Sequence, residues 1–82
     1  MEVDFVVECD GSVVPVEAKL DSGGKVERSL RSFISEYGPK HAVVVSYSGN
    51  YPAVDVGGCK VEFTDVLGMR NILLNRSGNS NQ

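Results

Sequence analysis

The sequence predicts a small α/β domain: a mixed β-sheet that opens with an antiparallel hairpin, continues through a crossover helix and ends with a flanking helix. Three observations predict it. Residues 2–8, EVDFVVE, alternate polar and apolar side chains ahead of an Asp10-Gly11 turn. Val26, Leu30, Phe33, Ile34 and Tyr37 fall on one face of a helical wheel. An apolar run from Ala42 to Val45 follows, as a strand buried on both faces requires. With 82 residues the chain makes one domain, expected over residues 1–75, with 76–82 as a disordered tail.

The elements follow in order. After the Asp10-Gly11 turn, VVPVEAKL (13–20) reads as the returning strand, and DSGGK (21–25) as a loop. The helix is expected over 26–37, where Gly38-Pro39 stops it. HAVVVSY (41–47) is a central strand, parallel to the second because a crossover helix separates them. SGNYPAVDVGG (48–58) reads as a loop with at most a short extended piece. CKVEF (59–63) is a last strand, and Thr64 or Asp65 caps a short helix that runs to about Leu74.

Composition narrows the function classes. Apolar residues are 41% and charged residues 23%, ordinary for a soluble globular domain. No apolar run approaches the roughly 20 residues of a membrane span. Glu2 and Asp4 stand where a secretion signal would carry basic residues, so a cytoplasmic protein without a membrane is expected. Cys9 and Cys59 fit no metal-ligand spacing and read as reduced thiols. His41, before a strand, reads as structural. The net charge of −3 argues against tight nucleic-acid binding by the isolated domain. Lys19, Lys25, Arg28 and Arg31 nevertheless cluster in one stretch. A core this small favours association, so a homodimer or a neighbouring subunit is an expected partner.

The hairpin carries the chemistry. A two-residue turn at Asp10-Gly11 sets Cys9 opposite Ser12, and counting outward sets Asp4 opposite Glu17 and Glu2 opposite Lys19. Asp4–Glu17 is then a non-hydrogen-bonded pair with Cα atoms about 4.5 Å apart. One face shows Val3, Phe5, Val7, Val14, Val16, Ala18 and Leu20, and is expected to pack on the 26–37 helix. The other shows Glu2, Asp4, Glu17 and Lys19. Opposed carboxylates destabilise a sheet, and a bound Mg²⁺ or Mn²⁺ supplies a reason to hold them there. A lysine beside them suits metal-assisted phosphodiester hydrolysis. The plainer reading of the same residues is a solvated hairpin face.

Asp4 on one strand and Val16-Glu17-Ala18-Lys19 on the next resemble the Asp…Glu-x-Lys signature of PD-(D/E)XK nucleases, the superfamily of restriction enzymes and archaeal Holliday-junction resolvases. EVDFVVE, VPVEAK, SLRSF and SEYGPKHAVVVS together are similar to a C-terminal domain of many prokaryotic AAA-type ATPases. The likeness spans about residues 1–48. It implies a restriction-endonuclease-like core with Asp4, Glu17 and Lys19 as catalytic residues. Asp4, Glu17 and the carbonyl of Ala18 would hold Mg²⁺ or Mn²⁺. A helix usually precedes the hairpin in that superfamily, and none does here, nor is there a G-x-x-x-x-G-K-[ST] motif. A truncated core from an ATPase-linked protein is therefore expected, with Glu2 as an auxiliary acid.

Arg28, Ser29, Arg31 and Ser32 on the helix would hold the phosphates of DNA; a solvated surface with a Glu27–Arg31 pair is the plainer alternative. Two functions follow from the resemblance. One is a metal-dependent nuclease domain. The other is a catalytically inactive accessory or oligomerisation module, serving an ATPase domain and keeping the nuclease fold.

Overall fold

The computed structural model describes residues 4–9, 11–47 and 50–76. They form a mixed α/β domain with one five-stranded sheet and two helices. The hairpin comes first: β1 (Phe5–Cys9) pairs antiparallel with β2 (Ser12–Lys19). Cys9 faces Ser12 and Phe5 faces Val16, the register counted from the turn. Pro15 pairs with Val6, and the ladder from β2 to the next strand starts only at Val16. A proline with no N–H to donate stands where that second ladder has not yet begun. Glu2 and Asp10 lie outside the described residues.

The loop after β2 leads to α1 (Arg28–Tyr37), two residues later than its apolar periodicity alone suggests. Gly38 ends the helix in the left-handed region (φ 62°, ψ 40°) and donates its N–H to the Ile34 carbonyl. Next comes β3 (His41–Ser46), parallel to β2 and buried from Ala42 to Ser46. It is central, as its unbroken apolar run requires, because β5 (Cys59–Thr64) pairs parallel on its other side.

Residues 51–56 correct the sequence reading, because they form a full strand rather than a loop. This strand, β4 (Tyr51–Val56), pairs antiparallel with β5 at the sheet edge. A register shift between Tyr51 and Val54 breaks the period-two pattern and so hides the strand. Pro52 is tolerated because an edge strand has one side unpaired. Val56 pairs with Cys59 across Gly57-Gly58, both at positive φ, the two-residue hairpin turn that glycines accept.

The chain closes with α2 (Val66–Arg76), two residues longer than expected. Asp65 caps it, its Oδ1 accepting the Gly68 N–H at 2.8 Å. Gly68 sits where a Cβ would collide with the Thr64 hydroxyl, so the first turn of α2 docks against the end of β5 only with glycine there. No helix among the described residues is long and apolar enough to cross a membrane.

Two apolar layers flank the sheet. Leu30 and Ile34 of α1 pack on Ala42, Val44, Cys59, Val61 and Phe63. Met69, Ile72 and Leu73 of α2, together with Val7 of β1, pack on Val14, Val16, Val43 and Val45. Where the hairpin's apolar face is covered, at Val7, Val14 and Val16, the helix over it is therefore α2, not α1 as its alternation suggested, and Phe5, Ala18 and Leu20 on that face are exposed. Alternation tells which residues share a face; it does not tell which helix covers it. The consequence matters for the site. Glu17 pairs in register with Val44, and Lys19 with Ser46, so both project on the α1 side of the sheet.

Candidate functional site

Strand β2 and the start of α1 bring the candidate residues together at the carboxyl ends of the parallel strands β2 and β3. Glu17 and Lys19 are two residues apart on one strand and so share a face. The Lys19 Nζ lies 3.9 Å from Glu17 Oε2. Their side chains are 12% and 24% exposed, so the pair is neither free in solvent nor sealed behind the core.

Asp4 precedes the first residue of β1, at the point where the hairpin ladder ends. Ala18 is two residues beyond Val16 and turns its N–H toward the same side, the side of Asp4. The Asp4 carboxylate accepts the Ala18 N–H at 2.7 Å through Oδ2. This fixes one oxygen of Asp4 to the backbone of the Glu17-Ala18-Lys19 segment. It also refines the expected geometry, because Asp4 is anchored to the neighbouring strand instead of standing as a simple cross-strand side chain.

Electrostatics mark Glu17. Burial pushes its carboxyl above the ordinary value; Lys19 pulls the other way, while Asp4 and Glu27 add to the rise. Its Oε1 is buried and has no hydrogen-bond partner among the described residues. A buried carboxylate oxygen without a partner is costly, so it calls for a proton or a cation.

The residue that sequence reasoning missed is Glu27. Its backbone is extended just before α1 (φ −71°, ψ 161°), and its side chain makes no capping bond to the helix. Instead Glu27 Oε2 lies 2.8 Å from Lys19 Nζ. That hydrogen bond raises the Lys19 pKa and lowers the Glu27 pKa. The helical pairing of Glu27 with Arg31 does not form: Arg31 Nε donates to the Val26 carbonyl at 3.2 Å. The usable signal was topological, since a parallel strand–helix–strand unit returns the helix start to the end of the strand it follows.

The four helix residues are not gathered with the carboxylates as a set. Arg28 and Arg31 are exposed, and Ser29 and Ser32 half-buried. Arg31 lines a hollow with Lys25, Val54 and Asp55, on the β4 side of α1 and away from β2. Arg28 is the first helical residue, next to Glu27.

The donor chemistry says which residues could hold a divalent cation. The orphaned Glu17 oxygen and the nearby Asp4 carboxylate are hard oxygen donors, the type that Mg²⁺ and Mn²⁺ take. Among the described residues no group of three or more His, Cys, Asp or Glu is placed to hold a metal. Two carboxylates completed by water are what these residues offer, which is a common arrangement for Mg²⁺. Cys59 stands apart: it is free, buried under α1, and its thiol is pushed up to about 11 by burial, then by Asp55. No family model matches the chain, and neither a curated protein nor a solved structure matches it.

Proposed function

We propose that this chain is a restriction-endonuclease-like, metal-dependent nuclease domain that hydrolyses phosphodiester bonds of DNA. Asp4 and Glu17 hold Mg²⁺ or Mn²⁺, the Ala18 carbonyl adds to them, and Lys19 is the catalytic lysine. The observation that carries the reading is the buried, unpartnered Glu17 Oε1, set beside both Asp4 and Lys19. A solvated hairpin face would not bury that oxygen.

Each residue then has a task. The cation would activate water and polarise the phosphate. Asp4 keeps its carboxylate aimed at the site through the bond to the Ala18 N–H. Lys19 spends one of its three donors on Glu27. The others face charge developing on a phosphate. Arg28, the first residue of α1 and next to Glu27, would hold a flanking phosphate of the strand being cut.

Calorimetric titration of Mn²⁺, followed by incubation with plasmid, single-stranded and four-way-junction DNA, tests this. One Mn²⁺ site is expected in the wild type and none in Asp4→Ala, with cleavage lost in Glu17→Ala and in Lys19→Ala. Absence of both binding and cutting on all three DNA forms would overturn the proposal.

One observation favours a second reading, an accessory module of a larger ATPase assembly. Edge strand β1 exposes Phe5 and Val6, each 46% accessible, and α2 exposes Val66 and Leu67. Sedimentation showing a tight dimer that binds no metal would move the conclusion there.

A further inference from the structure

Glu27 has no role in the reading above, yet it makes the shortest contact to Lys19. We propose that Glu27 is a positioning residue: it holds the Lys19 ammonium off Glu17 and so leaves the Glu17 carboxylate open to the divalent cation. This role rests on the metal-dependent reading of the site.

The geometry is a lysine between two carboxylates. Glu17 and Lys19 lie on one face of β2, and a flexible four-carbon stem lets the ammonium reach either acid. It is 2.8 Å from Glu27 and 3.9 Å from Glu17, so the hydrogen bond goes to Glu27 and only a loose ion pair remains with Glu17. The loose pair is with Glu17 Oε2, and Oε1 is the buried oxygen without a partner.

Glu27 is free for this work because it does not cap its own helix. The loop that delivers it is tied down locally. Gly23 N–H donates to Asp21 Oδ1, and Gly24 N–H to the buried Ser22 hydroxyl. Tyr51 of β4 reaches Asp21 with its hydroxyl and packs its ring on Gly24. Without Glu27 the nearest anion to Lys19 is Glu17. The ammonium then turns onto the carboxylate and competes with the cation for it.

A double-mutant cycle on Mn²⁺ affinity separates this from a direct role of Glu27. Calorimetry is run on the wild type, Glu27→Gln, Lys19→Met and the double variant. Glu27→Gln is expected to weaken Mn²⁺ binding about tenfold with Lys19 present, the size of a coupling between contacting residues. In the Lys19→Met background the same change is expected to matter less than about twofold. Equal losses in both backgrounds would mean that Glu27 acts by its own charge or as a ligand, and would overturn the positioning role alone. A wild type that binds no Mn²⁺ overturns the metal reading and this role with it. A second readout needs no metal: the Lys19 ammonium signal in NMR is expected to exchange slowly with water in the wild type and fast in Glu27→Gln. An unchanged signal also overturns the role.

Discussion

Replacing Glu17 by Gln is expected to make the metal-free protein more stable at pH 7 and to abolish its stabilisation by Mn²⁺. The buried Oε1 has no partner, and burial is the largest influence on this carboxyl. An unsatisfied buried polar atom costs about 1–3 kcal/mol and more when it is charged, so Gln, which keeps a polar atom there, recovers only the excess that the charge adds. Lys19 at 3.9 Å offsets part of that, so the low end, about 1 kcal/mol, is the expected gain for the neutral amide. For a chain of this size that corresponds to a Tm higher by about 4–8 °C. The folded-state pKa of Glu17 lies above 4.5, so the native chain holds this proton more tightly than the unfolded one. Its contribution to stability is fully present below that ordinary value and is lost as pH rises through the folded one. The advantage of Glu17→Gln should therefore grow as pH rises through the folded value and shrink as pH falls toward 4.5. Adding Mn²⁺ at a hundredfold its Kd stabilises the wild type by about 2.7 kcal/mol, which reverses the order of the two proteins. Thermal melts with EDTA and with Mn²⁺, across this pH range, read all three effects. A Gln variant that is less stable than wild type in EDTA at pH 7, or an advantage that does not change with pH, would refute the reasoning.

Two further perturbations test how the site is held. Gly68→Ala improves helix propensity by about 1 kcal/mol, yet its Cβ would collide with the Thr64 hydroxyl, and overpacking costs about 1–3 kcal/mol; urea unfolding should show a net loss of about 1 kcal/mol. Asp65→Ala removes the acceptor for the Gly68 N–H and should cost about 1 kcal/mol, seen as faster amide exchange in the first turn of α2.

The hairpin register was legible because a two-residue turn counts outward without ambiguity, and the pairing of Phe5 with Val16 follows from Asp10-Gly11 alone. The central place of β3 was legible for a similar reason: Ala42 to Val45 leaves no polar face to put in water. β4 was hidden. Its register shift sets Tyr51 and Val54, three residues apart, opposite Phe63 and Val61, which share one face of the sheet, so no period of two survives. Gly57-Gly58 was a usable turn signal, but it announces a hairpin only when the flanking runs read as strands. The covering of the hairpin by α2 was not legible, since the Val14 and Val16 face is apolar whichever helix lies on it.

The site divides along the same line. Glu17 and Lys19 were findable because they share one strand, and strand parity is local information. The direction of Asp4 was not legible, since strand parity alone does not say that its carboxylate takes the Ala18 N–H of the neighbouring strand. Glu27 depended on tertiary return: eight positions beyond Lys19 in sequence, it meets that lysine only when the β2–α1 loop folds back over the strand end. Helix periodicity pulled the reading toward Arg31, four residues on. A surface pair of that kind is worth only about 0.3–0.5 kcal/mol, too little to fix a side chain against a competing cation. Lys19 is such a competitor, held at the strand end with its side chain only 24% exposed, where charge is less screened than on the open helix surface. The acid that pairs with a partly buried lysine is therefore better sought at the start of the following helix than along that helix.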